Sequence, residues 1–162
     1  MTVWLDGQRA MTDVRYSSSF KGQFVQRPAV ERDKPRLLVI DDDRSVCTLI
    51  ERLGEKAGFA AMCALSLEEA TKSLRAHQFD CITLDLGIGK DTGVEVLKML
   101  GEMGCTVPII IISGSMRSMR DFAVGIGKKM RLELEQLGKP IDFALLRNKL
   151  TNVKMKFDAA HS

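Results

Sequence analysis

Short continuous apolar runs alternate along the chain with stretches in which apolar residues recur every three or four positions. "RLLVI" (Arg36 to Ile40), "FAAMCAL" (Phe59 to Leu65), "DCITLD" (Asp80 to Asp85) and "VPIIIIS" (Val107 to Ser113) are apolar runs of the type shown by strands buried on both faces. A fifth, weaker strand is expected near Leu132 to Leu137. The intervening pattern predicts helices over about Ser45 to Lys56, Leu67 to His77, Gly93 to Met103, Ser118 to Lys129 and Phe143 to Thr151. The first has Val46, Leu49, Ile50 and Leu53 on one face and is closed by Gly58. The second opens with a capping box, Ser66 followed by Glu69, and the fourth is weakened by Gly125 and Gly127. Five strands alternating with five helices describe an α/β domain, a five-stranded doubly wound parallel sheet.

Length supports one well-filled core and tails: 162 residues, 45% hydrophobic. Residues 1 to 34 show no sustained period and contain "YSSSFKGQ" and "QRPAVERDKP", so they are expected to be a flexible extension. The domain is expected over residues 35 to 151, with residues 152 to 162 as a tail. The formal net charge of +3 gathers at these two ends, without the interleaved aromatics of a nucleic-acid surface. No apolar run is long enough for a membrane span and the first thirty residues have no apolar centre, so a cytoplasmic protein is expected. Cys47, Cys63, Cys81 and Cys105 stand in apolar surroundings without a CxxC pair and read as small buried hydrophobes. With only His77 and His161, a histidine-based catalytic constellation has little to draw on.

In such a sheet the site lies beyond the carboxyl ends of the strands. There the first strand delivers Asp41, Asp42 and Asp43, the third Asp85, the fourth Ser113 and the fifth Lys139, followed by Pro140. Strand order 2-1-3-4-5 makes the first and third strands neighbours, so their carboxylates converge on one pocket flanked by the hydroxyl and the ammonium. Clustered carboxylates stay ionised only beside a cation, and an open site of oxygen ligands suits Mg²⁺ or Mn²⁺. A phosphoryl group on Asp85 would then lie among metal, Lys139, Ser113 and backbone N–H groups. The glycines after Asp85 let the loop bend until a carbonyl, that of Gly87, reaches the metal.

"LLVIDDDRSV", "ITLDLGIGKDTGVEVL", "PIIIISG" and "LGKPID", in this order, resemble the receiver domain of two-component response regulators over about Arg36 to Leu150. The resemblance implies a flavodoxin-like fold and a phosphoacceptor at Asp85. It further implies direct metal ligation by Asp42 and Asp85, with Asp41 acting through metal-bound water. Ser113 would be the switching hydroxyl, Lys139 the counter-charge of the phosphate, and the Lys139–Pro140 bond cis. A histidine kinase or histidine phosphotransfer protein would be the donor, and a downstream protein the target. By the same resemblance the chain is no enzyme beyond intrinsic autophosphorylation and autodephosphorylation. A stand-alone receiver is expected, with no DNA-binding domain and no membrane partner. Three positions depart from the family: Gly89 and Thr92 replace the usual proline and second aspartate, and Gln136 stands where many receivers carry Tyr or Phe. "SGSMRSMRDFAVGIGKKM" is similar to the extended fourth helix of receivers related to cyclic-diguanylate phosphodiesterase regulators.

Two rival readings use the same residues. "VIDDD" also resembles the DxD motif of haloacid-dehalogenase-type phosphatases, with Asp41 as nucleophile, Asp43 as general acid, and Ser113 and Lys139 as phosphate binders. It leaves Asp85 without a role and lacks a late acidic pair. A receiver-shaped module that is never phosphorylated is the other, and the complete acidic pocket weighs against it.

Overall fold

In the computed structural model, residues 32–88, 93–114 and 116–162 are described. Five strands, β1 (Arg36–Ile40), β2 (Ala60–Ala64), β3 (Cys81–Leu84), β4 (Ile109–Ser113) and β5 (Leu134–Gly138), form one parallel sheet in the order β2-β1-β3-β4-β5. They alternate with helices α1 (Arg44–Lys56), α2 (Leu67–Ala76), α3 (Gly93–Glu102), α4 (Arg117–Lys129) and α5 (Phe143–Ala160). The expected doubly wound, flavodoxin-like sheet is therefore present.

Strand side chains alternate between the two faces of the sheet, and each face buries its own core. Leu38, Ile40, Ile82, Leu84, Ile109 and Ile111 pack with residues of α2, α3 and α4, among them Leu74, Leu97, Leu100 and Ala123. Leu37, Val39, Cys81, Ile110 and Ile112 pack on the opposite face with Cys47 and Ile50 of α1 and Leu146 and Leu150 of α5. Burial on both sides is the reason the strands read as unbroken apolar runs.

Several boundaries and faces differ from the sequence reading, each for a local reason. Leu49, expected on the inner face of α1, is 52% exposed, and Cys47 takes the inner position instead. β5 begins at Leu134 rather than Leu132 because α4 ends in a tight reversal. Arg131 adopts a left-handed φ of 58°, and Leu132 N–H donates to the Gly127 carbonyl at 2.8 Å, closing the helix over its last orphan acceptors. Gly127 is not a weak point of α4: a Cβ there would stand 2.0 Å from Leu134 Cδ1, so the glycine lets helix and strand approach. Finally, α5 runs nine residues beyond Thr151, with Phe157 buried in the added turns. Among the described residues, no helix is long and apolar enough to cross a membrane.

All four cysteines are free thiols, with Cys47, Cys81 and Cys105 buried and Cys63 partly so. Burial raises every one of them, Cys81 to about 12 and Cys105 to about 11, which leaves them protonated and unreactive. They are packing residues, as read.

Candidate functional site

β1 and β3 are hydrogen-bonded neighbours, with Ile40 in register with Leu84. The next residue of each strand therefore emerges at the same edge, and these are Asp41 and Asp85. Their carboxylates, joined by that of Asp42, bring oxygens within 4.8 Å of one another. Asp41 and Asp85 are buried, while Asp42 is exposed at the mouth. Asp43, the third acid of the run, does something else: its side chain caps α1, accepting from Ser45 N at 2.8 Å and Val46 N at 3.3 Å.

On the other flank, Ser113 and Gly138 are paired across β4 and β5, which sets Ser113 beside the strand end that delivers Lys139. Lys139 Nζ donates to Asp85 Oδ2 at 2.8 Å and stands 3.6 Å from Asp41 Oδ2. Its stem passes close to the backbone after β4, where a Cβ on Gly114 would be 3.5 Å from Lys139 Cβ. The other oxygen of Asp85 accepts from Gly87 N–H at 3.1 Å. The Asp85 carboxylate is thus gripped from two sides and its orientation fixed, and Asp41 Oδ1 is similarly held by Asp43 N–H at 2.9 Å. The Lys139–Pro140 peptide is cis, as the resemblance implied.

The electrostatics follow from burial. Desolvation is the largest influence on Asp41 and pushes its carboxyl above the usual range, with Asp85 and Asp42 adding to the rise; the Asp43 N–H and Lys139 oppose it. Burial alone would lower Lys139, yet its hydrogen bond and attraction to Asp85, with Asp41 behind, outweigh that and raise it. A pocket with a carboxyl this strained toward neutrality accepts a hard cation readily, because the cation supplies the charge that lost hydration no longer does. Asp41, Asp42 and Asp85 fit such a group.

Sequence reasoning missed Gly93 at the start of α3. A Cβ there would lie 2.5 Å from Leu86 Cα and 2.6 Å from the Asp85 carbonyl oxygen, and Gly93 N–H donates to the Leu86 carbonyl at 2.9 Å. Only a glycine lets α3 begin directly under the loop that carries Asp85, and its place ahead of an apolar helix in "DTGVEVL" was the available signal. Gly89 and Thr92, the two departures in that loop, lie outside the described residues.

The sequence model of the response regulator receiver domain matches residues 37–151. The chain belongs to that family. Curated relatives include the transcriptional regulatory protein ZraR of Salmonella typhimurium, 29% identical over 74% of this chain and 26% of its own length. The alkaline phosphatase synthesis transcriptional regulatory protein PhoP of Bacillus subtilis is 33% identical over 48% of this chain and 32% of its own. The chain thus spans about a third or less of these relatives. Among solved structures, the Francisella response regulator 1452 receiver domain aligns with a TM-score of 0.66 at 22% identity, covering 76% of this chain and 99% of that one. A response regulator from Burkholderia pseudomallei with a phosphorylated aspartic acid, calcium ion and citrate aligns with a TM-score of 0.64 at 25% identity, covering 80% and 74%. The receiver domain is the phosphoacceptor module of two-component systems, a signalling domain.

Proposed function

We propose that this receiver acts as a phosphorylation switch with Asp85 as phosphoacceptor, taking its phosphoryl group from a histidine kinase or histidine phosphotransfer protein in the cytoplasm and signalling through contact with a further protein. The observation that carries this reading is the double grip on Asp85, Lys139 on one oxygen and Gly87 N–H on the other, inside a cluster with Asp41 and Asp42. A carboxylate oxygen attacks phosphorus, the bond to the donor's imidazole nitrogen breaks, and that nitrogen keeps the electron pair; an acyl phosphate remains on Asp85. Lys139 offers its ammonium to the phosphoryl oxygens, and the Ser113 hydroxyl donates once it turns toward them. Asp41, Asp42, Asp85 and the Gly87 carbonyl would hold Mg²⁺ or Mn²⁺, which supplies neutralising charge to the transferred group. The phosphorylated aspartic acid and calcium ion of the Burkholderia pseudomallei relative support the same chemistry at this pocket.

The phosphatase reading loses its general acid, since Asp43 is committed to the α1 cap. The deciding experiment is incubation of the full chain with a small acyl phosphate donor and Mg²⁺, read by intact mass. A single adduct, stable to acid and removed by hydroxylamine, is expected, and Asp85→Asn abolishes it. An adduct that persists in Asp85→Asn, or that maps to Asp41, restores the phosphatase reading.

A further inference from the structure

At the amino edge of the sheet, opposite the acidic pocket, two segments outside the family match meet. Arg32 precedes the match, and the end of α5 follows it. The Arg32 guanidinium forms a two-pronged ion pair with Asp80, Nη1 to Oδ2 at 2.8 Å and Nη2 to Oδ1 at 3.1 Å, and Nη1 also reaches the Gln78 carbonyl at 3.4 Å. Asp80 is itself fixed, because Oδ2 accepts from Arg36 N–H at 2.8 Å at the start of β1. Above this pair, the Arg32 guanidinium carbon lies 5.8 Å from the centre of the Phe157 ring. Phe157 in turn stacks on His161 at 4.0 Å and 20°, and His161 Nδ1 stands 2.8 Å from the Phe157 carbonyl.

This is unlike a surface ion pair. The two side chains are only 13% and 19% exposed, and the fork geometry is the strong one for guanidinium and carboxylate. Phe157 is an isolated aromatic in a polar stretch, "NVKMKFDAAHS", with a cation over its ring. Beyond Leu150 the apolar stripe of α5 thins to Val153, packed against the core, and the buried Phe157, so the Phe157 contact with Arg32 falls where the helix has least else to hold it.

We propose that Arg32 is the clasp of a terminal latch: it ties the segment that leads into β1 to the last two turns of α5, so that Arg32 and the helix end hold or release together. α5 has 18 residues and so spans about 27 Å, from just past Lys139 to the clasp. Drawing Arg32 away from Asp80 and Phe157 frees the end of α5 at the base of the domain, at the far side from Asp85. The latch thus offers a second point of control, separate from the acidic pocket and independent of whether Asp85 is phosphorylated.

Amide hydrogen exchange on the full chain tests this. In Arg32→Ala, exchange across residues 155 to 161 is expected to quicken about two- to fivefold, the effect of losing the cation over the Phe157 ring, with β1, β3 and β4 unchanged. Arg32→Lys keeps the charge and loses the fork and the planar face, so it is expected to quicken the same amides to a smaller degree. If Arg32→Ala speeds exchange everywhere, the lysine variant decides, since its effect must still be confined to the helix end. Unchanged exchange over residues 155 to 161 in both variants overturns the latch and shows that α5 ends in a self-supporting helix. Mass adduct formation at Asp85 is measured alongside and is expected to match the parent chain.

Discussion

Lys139 Nζ lies 2.8 Å from Asp85 Oδ2 and 3.6 Å from Asp41 Oδ2, so one ammonium answers two buried carboxylates. Removing it with Lys139→Met leaves those charges facing each other. Because Lys139 is partly exposed, solvent screens some of the loss, and a destabilisation of about 1–2 kcal/mol is expected, with loss of phosphoryl uptake. Urea unfolding without metal measures the first effect. A Lys139→Met variant as stable as the parent would show that the pair contributes nothing to the fold.

The raised Asp41 carboxyl has a definite pH signature. A carboxyl whose folded pKa exceeds its unfolded value binds protons more tightly when folded, so the metal-free protein loses stability as pH rises from the ordinary Asp value through the raised one. The raised Lys139 acts in the same sense in a more alkaline window: its contribution is full below the ordinary lysine value and is lost as pH climbs through the folded one. Asp41→Asn is expected to flatten the acid-side slope and raise the neutral-pH Tm of the metal-free protein, each kcal/mol regained being about 2–4 °C. A steeper acid-side slope in Asp41→Asn would mean that Asp41 is stabilised as the anion.

Millimolar Mg²⁺ is expected to raise the Tm of the parent by mass action, about 2.7 kcal/mol when the free ion is one hundred times its dissociation constant. Asp42→Ala removes that response, whereas Asp43→Ala keeps it and costs about 1 kcal/mol through the lost α1 cap. Loss of the metal response in Asp43→Ala would move the third acid of the run into the site.

Much of this pocket was legible before the structure because the acids, the hydroxyl and the ammonium each follow an apolar run, and a parallel sheet sends all such ends to one edge. Local pattern could not separate Asp43 from its neighbours, since a cap and a ligand are both carboxylates at the start of a helix. The end of α5 was legible but passed over: Val153 and Phe157 continue the Leu146 and Leu150 stripe at helical spacing, whereas the contact of Phe157 with Arg32, far away in sequence, has no local signal. The glycines illustrate the same boundary. Gly125 and Gly127 look alike in sequence, yet a Cβ at Gly125 meets nothing within 4 Å and one at Gly127 meets Leu134.

That difference predicts opposite outcomes. Gly125→Ala removes backbone freedom from the unfolded chain at an exposed helical position and is expected to stabilise by about 0.5–1 kcal/mol. Gly93→Ala drives a methyl into the backbone of Leu86 and Asp85 and is expected to cost about 1–3 kcal/mol while impairing phosphoryl uptake. Denaturant midpoints with an unchanged m value are the measurement, and a Gly93→Ala variant of parental stability would show that α3 shifts freely beneath the site.

The output of the switch is expected at the amino end of α4. The carboxyl end of that helix is pinned: Met130 fills the space where a Gly101 side chain would sit, 2.6 Å from its Cβ position, and Gly127 lies against Leu134. Among the described residues the amino end shows no such hold: its N-cap is Met116, which makes no side-chain cap bond, and Met116 and Phe122 are 79% and 60% exposed. Ser113 and Gly114 lead into this loose end, while Gln136, exposed on β5, offers no ring to move with the hydroxyl. A phosphoryl group at Asp85, as proposed, would add about −1.5 to −2 charges; Ser113 is then expected to turn toward it and draw the Gly114 backbone along, so that the helix yields where it is least held. With a beryllofluoride-type mimic of the phosphoryl group, hydrogen exchange should therefore change over residues 116 to 123 and hardly at all over residues 127 to 130 or in α2. Equal changes along the whole of α4 would mean that the helix moves as a rigid rod and that its pinned end is no anchor.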